Sequence, residues 1–101
     1  MSATIKVGRA PFEVALTPDG SKAYVTDAGA NAVSVIKTSS EAVVTSFAVG
    51  SYPTEIALTR DGAKAYVANT GSNSVSVVNT SLNRAGSSVR VGRNLAELVL
   101  H

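Results

Sequence analysis

The 101-residue chain contains no cysteine, no tryptophan and a single histidine. Without cysteine there are no disulfides, no thiolate nucleophile and no Cys-based metal site. The lone histidine, His101, has no second His or Cys to join it, so neither a nucleophilic triad nor a zinc site can be assembled around it. It reads as an exposed residue without a role. Aromatic residues are scarce, at 5% of the chain. The formal charge of +2 is spread over scattered Lys and Arg with no run of one sign. A nucleic-acid or anionic-membrane surface normally needs such a cluster, so neither partner is expected. No apolar run approaches the roughly 20 residues of a membrane helix. Residues 1–6 lack the basic start and apolar stretch of a signal peptide. The chain therefore reads as soluble, with its compartment open.

What the chain does have is Val, Ala and Gly in a repeating order. Val7-Gly8, Val49-Gly50 and Val91-Gly92 recur at a spacing of 42 residues. Residues 7–48 overlay 49–90 without gaps, and about half the positions match. Pro11 meets Pro53, Glu13 meets Glu55, and Ala15-Leu16-Thr17 meets Ala57-Leu58-Thr59. Asp19-Gly20 meets Asp61-Gly62, and Lys22-Ala23-Tyr24-Val25 meets Lys64-Ala65-Tyr66-Val67. Asn31 meets Asn73, and Val33-Ser34-Val35 meets Val75-Ser76-Val77. Repeat one is thus 7–48, repeat two is 49–90, and 91–101 opens a third, all in one domain.

Apolar residues alternate with period two, and turn signals arrive every 8–12 residues, which argues for strands over helices. Each repeat divides into four strands. Strand one is 14–17 and 56–59, and strand two is 22–26 and 64–68. Strand three is 32–36 and 74–78, and strand four is 43–49 and 87–91. The Asp-Gly pair between strands one and two supplies glycine where a hairpin needs a positive φ. Four strands in about 40–45 residues is the spacing of a propeller blade. The predicted fold is all-β, with about two radially packed antiparallel blades. The innermost strand should be small and tightly packed, as in Val14-Ala15-Leu16. The outermost should be polar, as in residues 84–90. Residues 4–7 resemble a further fourth strand, and 97–100 a further first strand.

These residues resemble the YVTN propeller-repeat family. The resemblance is carried by Val7-Gly8 and Pro11, by Val14 through Gly20, by Lys22-Ala23-Tyr24-Val25-Thr26-Asp27, and by Asn31 through Ile36. The second copy carries it through Tyr66-Val67-Ala68-Asn69 and Asn73 through Val78. Asp27 stands where the family pattern has Asn, and Ala68 where it has Thr. Arg60 takes the place of Pro18, and Leu95 that of Pro11 and Pro53. The resemblance implies blade architecture in rings of about seven blades, often in secreted, periplasmic or surface proteins of microbes. Related propellers include lactonase-like hydrolases and redox-cofactor carriers. No position here matches a catalytic motif of either, so the resemblance implies no catalytic residue and no cofactor.

Glu13, Glu55 and Glu97 share one repeat position and are candidate ligands for a cation. A calcium or magnesium ion wants several oxygens converging on one point, which one carboxylate per blade seldom supplies. A solvated repeat feature is the simpler reading. Asp19 and Asp61 sit in Asp-Gly turns, where Asp serves the local backbone. Asn31, Asn69 and Asn73 suit left-handed loop positions. Tyr24 and Tyr66 read as packing between blades. Arg9 and Arg93 could hold an anion, but Ser51 fills the same slot in the middle copy.

Repeat units need about three stacked copies for stability. Two blades therefore imply company, either identical chains closing a ring or other propeller blades. The expected function is a non-catalytic repeat scaffold or binding module acting through self-association or protein contacts. The alternative is a truncated remnant of a propeller enzyme, lactonase-like or redox, with its active site in other blades.

Overall fold

The computed structural model describes Ile5 and residues 7–90. Eight strands follow one another: β1 (Pro11–Leu16), β2 (Lys22–Asp27), β3 (Ala32–Lys37), β4 (Ala42–Ala48), β5 (Pro53–Leu58), β6 (Lys64–Asn69), β7 (Ser74–Asn79) and β8 (Arg84–Arg90). They form two four-stranded antiparallel sheets, ordered β1-β2-β3-β4 and β5-β6-β7-β8. Each strand pairs with its neighbour in sequence, so each sheet is a meander, the layout of one blade. One turn of 3-10 helix, Ala28–Ala30, interrupts blade 1 between β2 and β3.

Strand one starts three residues earlier than its alternation suggests. Pro11 pairs with Asp27, and Pro53 with Asn69, each as the first residue of an edge strand. Proline is tolerated there because it owes no ladder hydrogen bond. The register slips between Pro11 and Glu13, and again between Pro53 and Glu55. That slip hides the period-two pattern. A second irregularity falls between Val35 and Ile36 and recurs between Val77 and Val78. The 42-residue repeat therefore copies the bulges as well as the strands. Strand four of repeat two also starts earlier than expected, at Arg84, because Arg84-Ala85-Gly86 has too little apolar character to read as strand.

Turn chemistry follows the residues. In residues 17–20 the Gly20 N–H donates to the Thr17 carbonyl at 2.8 Å, and Gly20 has φ 75°. Gly62 does the same to Thr59 at 2.8 Å with φ 74°. Left-handed backbone also recurs in register at non-glycine positions: Ala10 and Tyr52, Asn31 and Asn73, Glu41 and Asn83. Asn69 departs from the expectation grouped with them. It ends β6, is buried, and has no positive φ. Its side chain serves hydrogen bonding instead.

Alternation gives each blade two apolar faces. The leading face of blade 1 carries Val14 and Leu16 of β1, Ala23 and Val25 of β2, and Ile36 of β3. Its trailing face carries Ala15, Tyr24, Val33 and Val35. The main core joins that trailing face to the leading face of blade 2: Tyr24, Val33 and Val35 pack with Ile56, Ala65, Val67 and Val78. Phe47, Val49 and Leu58 close its margins. A smaller cluster of Ala23, Val25 and Ile36 lies on the leading face of blade 1, with Ile5 and Val7 against it. Neither Ile5 nor Val7 is in a strand. The rest of the expected strand over 4–7, and the one over 97–100, fall outside the described residues, as does the third repeat.

The innermost strand of blade 1 is not tightly packed, contrary to its composition. Phe12, Val14 and Leu16 are 58–60% exposed, whereas Ile56, the counterpart of Val14, is 7% exposed. The residues are equivalent; only in blade 2 does a neighbouring blade cover them.

Substitution of Gly20 or Gly62 by Ala forces a side chain into left-handed backbone, at about 1–2 kcal/mol. A Cβ on Gly20 meets open space, while one on Gly62 lies 2.9 Å from Pro18 Cδ. Gly62→Ala should therefore lower the urea unfolding midpoint more than Gly20→Ala does.

Candidate functional site

The joint between the two blades gathers the polar residues that the repeat retains. β5 is an edge strand, and its outward N–H groups need acceptors. Glu13 Oε1 takes the Ile56 N–H at 2.8 Å. Beside it Thr26 Oγ1 lies 3.2 Å from the Thr54 carbonyl. The Thr26 hydroxyl also accepts the Glu13 N–H at 3.0 Å, which ties the carboxylate's own backbone to β2. The Tyr24 ring is fully buried in the core, and its hydroxyl reaches across to the Thr80 carbonyl at 3.3 Å and Asn83 Oδ1 at 3.2 Å. Burial raises the Tyr24 pKa above its ordinary value, which keeps the hydroxyl a donor. At the loop end, Asn31 Oδ1 accepts the Tyr52 N–H at 2.8 Å. Apolar packing thus supplies the adhesion, and four polar side chains, Glu13, Thr26, Tyr24 and Asn31, set the relative position of the blades.

Of the candidate cation ligands, Glu13 and Glu55 fall among the described residues. Glu13 is engaged across the joint. Glu55 occupies the same register position one blade on, opposite Ala68. Glu97 lies outside the described residues. Among the described residues no group of three or more His, Cys, Asp or Glu could hold a metal ion. Tyr24 packs between the blades as its sequence position implies, whereas Tyr66 is only partly buried. Arg9 is exposed, and Arg93 and His101 are outside the described residues.

Asp19 and Asp61 serve their turns. Asp19 Oδ1 accepts the Ser21 N–H at 3.0 Å and the Thr17 and Ser21 hydroxyls at 2.8 Å. The Ser21 N–H first, then the two hydroxyls, lower its pKa from 3.8 to about 2. Asp61 is lowered in the same way, chiefly by the Ala63 N–H and then the Thr59 hydroxyl. Both carboxyl residues line an open cleft of about 310 Å³ between the blades, with Lys22, Tyr24 and Thr80.

Two buried side chains were not singled out as site residues by the sequence. Asp27 and Asn69 occupy one repeat position. Asp27 Oδ2 accepts from Ser34 Oγ at 2.5 Å, while Asn69 Nδ2 donates to Ser76 Oγ at 2.8 Å. Serine serves both because a hydroxyl can donate or accept. Gly8 and Gly50 lie against them so closely that a Cβ would sit 2.7 Å from the Asp27 or Asn69 side chain. The recurring Val-Gly pair is explained by that approach.

No protein-family model matches the chain, nor does any curated protein. Solved structures do. Hydrazine synthase of Kuenenia stuttgartiensis is similar at 29% identity and a TM-score of 0.83 over 91% of this chain and 26% of its own. AztD from Citrobacter koseri is similar at 18% identity and a TM-score of 0.76, over 88% of this chain and 26% of its own. The β-propeller domain of Cps50 (Swd1) from Myceliophteria thermophila is similar at 16% identity and a TM-score of 0.77, over 89% of this chain and 27% of its own. The chain spans about a quarter of the length of each.

Removing the Tyr24 hydroxyl in Tyr24→Phe should cost about 1 kcal/mol of unfolding free energy, and Glu13→Ala about 1.5–3 kcal/mol because a charged acceptor is lost. Chemical denaturation of each variant checks this. The folded pKa of Asp19, about 2, lies below that of the unfolded chain, so its contribution is present above about pH 4 and fades as pH falls toward about 2, and Asp61 acts in the same direction. The thermal midpoint should drop across that window, and more shallowly in the Asp19→Asn/Asp61→Asn double variant.

These two sheets, joined face to face, are two blades of a β-propeller.

Proposed function

We propose that this chain is a non-catalytic propeller-repeat module of the YVTN type, a microbial scaffold that acts through self-association or protein contacts. The observation that carries this reading is the use made of its polar side chains. Glu13, Thr26, Tyr24 and Asn31 hold blade to blade. Asp19 and Asp61 hold turns, and Asp27 and Asn69 hold neighbouring serines. General acid–base or nucleophilic chemistry needs groups converging on a substrate position instead. The YVTN resemblance also favours a secreted, periplasmic or surface setting. Among the described residues, no helix is long and apolar enough to cross a membrane.

A second reading is favoured by the 29% identity to hydrazine synthase. In it the chain is part of a redox propeller whose reacting groups lie in other blades. The purified chain should show no turnover on a panel of lactones, esters and redox dyes. Turnover that follows the protein through purification would overturn the module reading, whereas reactive groups in further blades of a longer parent chain would support the second.

A further inference from the structure

The chain contains both halves of the blade joint but makes the joint once among the described residues. Blade 1 presents its trailing face to the leading face of blade 2. Among the described residues, the trailing face of blade 2 and the part of the leading face of blade 1 beyond Ile5 and Val7 are left, and each is the repeat equivalent of a face already used. On the leading face, Phe12, Val14 and Leu16 stand where Thr54, Ile56 and Leu58 meet blade 1. On the trailing face, Tyr66, Val75 and Val77 stand where Tyr24, Val33 and Val35 are fully buried, and all three are partly exposed.

We propose that a second copy of this chain docks head to tail, the trailing face of blade 2 of one copy covering the leading face of blade 1 of the next. The internal joint supplies the geometry of the contact. Tyr66 enters as Tyr24 does, with its hydroxyl directed to the Thr38 carbonyl and the Glu41 side chain of the next copy. Those are the positions of Thr80 and Asn83, and a carboxylate is a stronger acceptor than an amide. Asn73 shares the left-handed backbone of Asn31, with φ 51° against 54°. Its Oδ1 takes the Ala10 N–H, because Ala10 shares the backbone of Tyr52, with φ 53° against 50°. One contact has no counterpart, since Ala68 replaces Thr26. Val89, 55% exposed at the position of Phe47, arrives where Ile5 sits, so docking displaces Ile5 and Val7 from Ala23, Val25 and Ile36.

The contact joins unlike faces, so it is heterologous and propagates until it closes. Two, three or four copies give about four, six or eight blades, within the usual propeller range. The proposal rests on the module reading and names its partner.

Complementation between two single-face variants tests it. Val14→Glu charges the leading face and Val77→Glu the trailing face, with circular dichroism confirming that both stay folded. By analytical ultracentrifugation the unaltered chain should assemble, and each variant alone should be monomeric. Their equimolar mixture should give a one-to-one dimer, because one sound joint remains. The gentler Tyr66→Phe, which keeps the ring, should weaken assembly of the otherwise unaltered chain by about tenfold or more, as loss of one hydrogen bond to a charged acceptor predicts. A monomeric unaltered chain, a mixture that stays monomeric, self-pairing of either variant, or assembly indifferent to Tyr66→Phe would overturn the proposal. None of these outcomes produces turnover, so failure of the docking is distinguishable from failure of the module reading.

Discussion

A meander of four short strands with apolar side chains on both faces cannot bury itself, and most features of this structure answer that constraint. β2 is buried along nearly its whole length because it has neighbours on both faces. β1 is largely exposed on one face because, among the described residues, no neighbouring blade covers it. The fully buried Tyr24, Val33 and Val35 owe their burial to β5 and its blade. Apolar contact alone would let two such faces slide, since it has no direction. Glu13, Tyr24 and Asn31 add direction by taking or giving hydrogen bonds at fixed points along the facing edge.

The sequence made the blade legible because the same physics appears twice. Matching pairs at a spacing of 42 marked the turns, the central strands and Tyr24, which packs between the blades. It placed the outer limits of β1, β5 and β8 less well. Bulges beside Pro11 and Pro53 break the alternation, and Arg84-Ala85-Gly86 pairs through backbone with little apolar signal. The joint was partly visible. Glu13 and Glu55 stood out as recurring carboxylates, but composition cannot tell an ion ligand from an acceptor for an edge-strand N–H. Asn31 was read for its backbone conformation, and the structure shows that its side chain works as well. Neighbouring blades are remote in sequence, so partners such as Tyr24 and Asn83 could be found only in three dimensions.

Asp27 and Asn69 show how far the repeat tolerates chemical change under a constant shape. A carboxylate and an amide fill one buried position beneath the same glycine, and each is served by the serine seven residues on. The serine hydroxyl changes from donor at Ser34 to acceptor at Ser76 while the backbone stays the same. Similarly, Glu41 and Asn83 share a left-handed turn although only Asn favours it locally. In both cases the surrounding ladder decides the conformation.

The pairing of each strand with its immediate neighbour also has a kinetic consequence. Every sheet contact within a blade closes a short stretch of chain, so little loop entropy is spent before contacts form. The blade-to-blade contacts span more, with Glu13 meeting Ile56 across a separation of 43 residues. Folding can therefore begin in either blade and spread by docking, in the manner of a one-dimensional array whose stability sums unit and neighbour terms. A chain of this kind grows by addition: each new unit meets a surface shaped like the last, and no existing unit has to be rebuilt.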